Sequence, residues 1–130
     1  MIQFTSHMRI LVATVPLDMR KGIDGIAALC RQTLVENPMS GAVFVFINRA
    51  RKHLRILTYD GQGFWICTKR LSSGRFPYWP VPGHEGDWLK QFEACEAQVL
   101  IHGGDPRQVR QLMPWKKIKT SPEFLAGVRQ

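Results

Sequence analysis

The sequence is poor in cysteine, poor in acidic residues and free of long apolar runs, and each shortage removes a class of protein. Three cysteines, Cys30, Cys67 and Cys95, lie far apart in a chain of 130 residues. An odd number with no CxxC pair argues against a disulfide framework and against a zinc knuckle. Runs such as Ala27-Ala28-Leu29-Cys30 and Phe64-Trp65-Ile66-Cys67 set the thiols among apolar neighbours, where cysteine serves as a small hydrophobe. All three are expected to be reduced and buried. No apolar run approaches the ~20 residues of a membrane-spanning helix. Met1 to Arg20 lacks the basic start, apolar stretch and small-residue cleavage site of a signal peptide, so the expected location is cytoplasmic.

The acid shortage sets both the charge and the chemistry. Ten Asp and Glu against eighteen Lys and Arg leave a formal charge of +8 and a pI near 9.9. Such an excess attracts polyanions, of which nucleic acid is the commonest. A metal-dependent nuclease needs several carboxylates converging on divalent cations. Asp18, Asp24, Asp60 and Asp105 share no spacing pattern, and each has a turn or capping explanation. His7, His53, His84 and His102 are scattered, and the polarity of a loop explains His84-Glu85-Gly86-Asp87 better than a metal site does. No phosphate-binding glycine loop and no Ser or Cys nucleophile motif occurs. The expectation is a protein without catalytic residues, metal or cofactor.

What is present reads as an α+β domain. Met8 to Val15 is β-branched and apolar, a strand stopped by Pro16. Asp18 is placed to cap a helix that carries Ile23, Ile26, Ala27, Cys30 and Leu34 on one face and ends near Asn37-Pro38. The period then changes. Ala42–Ile47, Leu54–Tyr59 and Phe64–Lys69 read as three strands joined by a polar connection, Asn48 to His53, and the turn Asp60-Gly61-Gln62-Gly63. Short connections imply a small antiparallel meander with one helix packed on it. Pro77 to Gly86 is a loop, Asp87 to Ile101 reads as a helix with Trp88, Phe92, Cys95 and Val99 near one stripe, and a basic segment follows Gly103-Gly104-Asp105-Pro106. Residues 1–80 are taken as the core, and 81–130 as a loop and C-terminal helical extension of the same domain.

The functional signal lies in the hairpins. Arg49, Arg51, Lys52, Arg55, Lys69, Arg70 and Arg75 accompany a single acid, Asp60, with Tyr59, Phe64, Trp65, Phe76, Tyr78 and Trp79 interleaved. Cations with aromatic platforms suit phosphate contact and base stacking. The aromatics read better as core, whereas Arg49, Arg51 and Lys52 on a loop are well placed to meet phosphate. Arg20 and Lys21 either touch DNA or a partner, or serve local capping and solubility.

The order of blocks resembles a known family. Asp18-Met19-Arg20-Lys21-Gly22-Ile23-Asp24-Gly25-Ile26, Gly41-Ala42-Val43-Phe44-Val45-Phe46, Leu57-Thr58-Tyr59-Asp60-Gly61-Gln62-Gly63-Phe64, Lys69-Arg70-Leu71 and Gly74-Arg75-Phe76 are similar to the TnpB-type accessory proteins of the insertion sequence 66 family. Ser72-Ser73 stands where relatives carry an acidic residue, and Pro77-Tyr78 lengthens the path to Trp79-Pro80. The resemblance implies a helper in DNA transposition without a catalytic site of its own. The expected partners are DNA and the transposase or another element-encoded helper; an open sheet edge also permits a homo-oligomer by strand pairing, which nothing in the sequence selects. A second reading is an adaptor that docks on the transposase through Phe76 to Trp79 and the face around Trp88 and Phe92, without touching DNA.

Overall fold

A computed structural model describes residues 3–112. Five strands form one mixed sheet in the order β4-β3-β2-β1-β5. β1 (Ile10–Ala13) and β2 (Val43–Ile47) are buried along their whole length, as expected of apolar β-branched and aromatic runs covered on both faces. They pair in parallel, Ile10 with Val43. A parallel pair needs a crossover, and α1 (Ile23–Gln32) supplies it. β3 (His53–Tyr59) and β4 (Phe64–Arg70) complete the expected meander.

The period of two divides the core into two layers. Ile10, Val12, Val43, Val45, Leu54 and Ile56 face α2 (Ala94–Ile101) together with the buried Phe76 and Trp79. Leu11, Ala13, Phe44, Phe46 and Leu57 face Ile26 and Cys30 of α1. α3 (Pro106–Leu112) packs beside α2. No helix among the described residues is long and apolar enough to cross a membrane.

The α+β class stands, with four differences of detail. The sheet is mixed, because the first strand runs parallel to the second and lies inside the sheet. The segment Asp87 to Ile101 is not one helix: Leu89–Phe92 is β5, antiparallel to β1. Trp88, Phe92, Cys95 and Val99 have helical spacing, but the free edge of β1 takes up residues 89–92, and a Glu93–Glu96 capping box starts the helix at Ala94. α1 ends at Gln32, five residues before Asn37. Its last carbonyls, of Leu29 and Cys30, accept the N–H groups of Thr33, Leu34 and Glu36, and the chain turns through Val35 at φ +54°. Asp18 does not cap α1. The N-cap is Gly22 without a side-chain bond, and Asp18 binds Arg20 in its own loop. All three cysteines are free thiols, Cys30 buried and Cys67 and Cys95 half-buried.

Candidate nucleic-acid interface

β1 and β2 end, β3 begins and β4 ends on the same side of the sheet. Three connections meet there: residues 14–22, 48–52 and 71–76. Main-chain bonds hold them together. Leu17 N–H donates to Ile47 O (2.8 Å), Leu71 N–H to Lys52 O (3.0 Å) and Phe76 N–H to Arg51 O (2.8 Å).

Asn48 shapes the central turn. Its Oδ1 accepts the N–H groups of Lys52 (3.0 Å) and His53 (3.1 Å), and its carbonyl accepts that of Arg51 (3.0 Å). Asn side chains commonly replace a main-chain acceptor in this way. Arg51 itself takes φ +60°. Nothing in the charge pattern marked Asn48; its position directly after an apolar strand was the available signal.

Onto this frame the sequence places six cations. Lys21, Arg49, Lys52, Arg70 and Arg75 are exposed and Arg51 half-exposed. Their side chains hold no ion pair or hydrogen bond among the described residues. Arg20 is already engaged: its guanidinium meets Asp18 at 2.8 Å. That side-chain bond first, and the Arg20 N–H second, hold the Asp18 carboxyl at about 2. Asp24 stands in the first turn of α1, and Asp87, whose carbonyl accepts the Thr14 hydroxyl (2.9 Å), is a further acid at this end of the sheet.

Two of the cations expected at the site serve elsewhere. Arg55 fastens the frame: its Nη1 donates to the carbonyls of Met19 (3.1 Å) and Lys21 (2.9 Å), and its Nε to Thr68 Oγ1 (3.1 Å). Lys69 projects from the opposite face of the hairpin. Its Nζ donates to Ile101 O (2.7 Å) at the end of α2 and lies 5.8 Å from the centre of the Phe76 ring, a favourable place for a cation. The structure thus gathers Arg49, Arg51, Lys52, Arg70 and Arg75 with Lys21, and uses Arg55 and Lys69 internally.

The aromatics take the core reading. Phe76 and Trp79 are buried, Trp79 donating to Ala13 O (2.9 Å), and Tyr59 packs on Phe64. Trp65 is the exception. It is 62% exposed and bonds Asp60 Oδ2 (2.7 Å) at the far turn. Open grooves occur elsewhere among the described residues, one of about 460 Å³ beside Tyr78 and Arg107 and an apolar one of about 330 Å³ between Ile56, Cys67 and Ile101. Among the described residues, no three His, Cys, Asp or Glu side chains converge as a metal site requires.

Comparison with known proteins places the chain among relatives. Residues 8–111 match the family described as IS66 Orf2-like protein. Uncharacterized protein y4jC of Sinorhizobium fredii is 34% identical over 122 residues, spanning 94% of this chain and 93% of that one. Uncharacterized protein y4hO of the same organism is 39% identical over 119 residues, 92% and 98% of the two chains. No solved structure matches.

Proposed function

The chain belongs to the IS66 Orf2-like family of transposition-associated accessory proteins, and from that premise we propose that it binds duplex DNA through the cationic rim, without catalysis of its own, in the bacterial cytoplasm. One observation carries the reading: Lys21, Arg49, Arg51, Lys52, Arg70 and Arg75 meet on one side of the sheet with their side chains free of partners among the described residues. Cations left unpaired on hydrogen-bonded loops suit phosphate contact, which fixes position without reading bases. The buried aromatics favour duplex over single strand, because stacking platforms are what single-strand binding requires. The adaptor reading finds less support, since Phe76, Trp79 and Phe92 lie in the core.

A salt series with labelled duplex DNA tests this. Arg49/Arg51/Lys52→Ala is expected to weaken binding to element-end and scrambled duplexes alike. The log–log salt slope should flatten by ~0.9 for each phosphate that the variant no longer neutralises. A triple variant that binds as tightly and as salt-steeply as wild type removes the rim from consideration. Recovery of the transposase by that variant in the absence of DNA then favours the adaptor.

A further inference from the structure

β4 is an outer strand, paired with β3 alone among the strands of the described residues. The hairpin fixes which of its peptide groups point outward. Asp60 N–H donates to Gly63 O (3.1 Å) at the turn, and Leu71 N–H to Lys52 O (3.0 Å) at the far end. Bonded and non-bonded pairs alternate in an antiparallel ladder. Both closures therefore make Thr58–Trp65, Ile56–Cys67 and Leu54–Lys69 the bonded pairs of the register. Phe64, Ile66, Thr68 and Arg70 turn their N–H and C=O groups to the open edge, and no backbone group among the described residues meets them there.

Natural edges are usually blunted by proline, a bulge or charge. β4 carries no proline and pairs with β3 without interruption over seven residues. Its charges, Lys69 and Arg70, lie at one end, and the Lys69 ammonium is drawn to Ile101 O. At the other end stand Phe64 and the exposed Trp65. This order is complementary to its own reverse.

We propose that β4 pairs antiparallel with β4 of a second copy, about a two-fold axis through Cys67. That register sets Phe64 against Arg70 of the second copy, Trp65 against its Lys69, Ile66 against its Thr68, and Cys67 against its Cys67. It bonds all four outward residues, whereas any shifted antiparallel register leaves some unpaired. An aromatic meets the stem or head of a cation on each face of the sheet, a favourable contact; a parallel arrangement in register would set cation against cation. The Cys67 pair is a non-bonded one, with Cα atoms about 4.5 Å apart, inside the span a disulfide accepts. The two rims then lie at opposite ends of a ten-stranded sheet, since the strands run in opposite directions.

Two readouts on the full chain test this without DNA. Copper–phenanthroline oxidation followed by peptide mass mapping is expected to yield a Cys67–Cys67 link, absent in Cys67→Ser. Sedimentation equilibrium at micromolar concentration is expected to give twice the chain mass. Thr68→Pro should return it to monomer, because the lost N–H faces outward and the β3 ladder survives; circular dichroism checks the fold. A monomeric wild type, a dimer whose link is not at Cys67, or a folded Thr68→Pro dimer each overturns the proposal. If Thr68→Pro does not fold, the position of the link decides alone.

Discussion

Arg55 Nη1 donates to the main-chain carbonyl of Lys21 at 2.9 Å, so a strand residue in the middle of the sheet holds a loop cation thirty-four residues away in sequence. The same nitrogen reaches Met19 O and the Nε reaches Thr68. Arg55→Ala is therefore expected to lower stability by about 2 kcal/mol, since bonds from a charged donor disappear and two carbonyls are left without a partner. Arg55→Lys restores little, because a single ammonium cannot serve the same fork. Arg49→Ala and Arg75→Ala leave stability within about 0.5 kcal/mol of wild type. Urea unfolding separates the two classes, and a neutral Arg55→Ala contradicts its assignment as a fastener.

Asn48 is the second fastener. Replacing it by Ala removes the acceptor for two N–H groups, of Lys52 and His53, and is expected to cost about 1–2 kcal/mol. The turn also anchors Leu71 and Phe76 through the carbonyls of Lys52 and Arg51. Amide exchange should accordingly quicken at Leu71 and Phe76 as well as within the turn. Exchange that quickens in the turn alone breaks the link between the two loops.

The central strands were legible in the sequence because each is a pure apolar or alternating run bounded by turn residues. Val43–Ile47 and Phe64–Arg70 fall within one residue of the expected limits. β5 was not legible. Leu89–Phe92 has no strand-like alternation of its own, and only the free edge of β1, a tertiary feature, makes it one. At the rim, charge density pointed to loops that the fold brings together. It could not tell Arg49 from Arg55, since an arginine's partners here are carbonyls thirty or more residues away. It also could not tell Lys69 from Arg70, which project to opposite faces of the same strand.

Val35 follows α1 at φ +54° and is 79% exposed. A β-branched side chain is poorly suited to the left-handed region, whereas Asn tolerates it. Nothing buried disappears on replacement. Val35→Asn is expected to stabilise by about 0.5–1 kcal/mol, seen as a higher urea midpoint with an unchanged slope. A lower midpoint means that the valine makes contacts worth more than its backbone strain.

Asp18 links the loop's structure to acid. The Arg20 side-chain bond, then the Arg20 N–H, hold its carboxyl at about 2, against an ordinary value of 3.8. Asp60, Asp87 and Asp105 are lowered as well, Asp60 chiefly by the Gln62 N–H, Asp87 by Lys90 and Asp105 by Arg107. A folded value below the unfolded one means the unfolded chain binds protons first as pH falls. The contribution of Asp18 is therefore complete above 3.8 and fades on the way down to about 2. Above that window the same groups predict a flat stability profile. The Asp18 site is exposed, so its share of stability is small, and the direct readout is carboxyl NMR titration. Arg20→Gln is expected to move Asp18 back towards 3.8 while leaving Asp60 and Asp105 where they are. An Asp18 that titrates normally in the wild-type chain breaks the pairing and frees Arg20 to join the six cations of the rim.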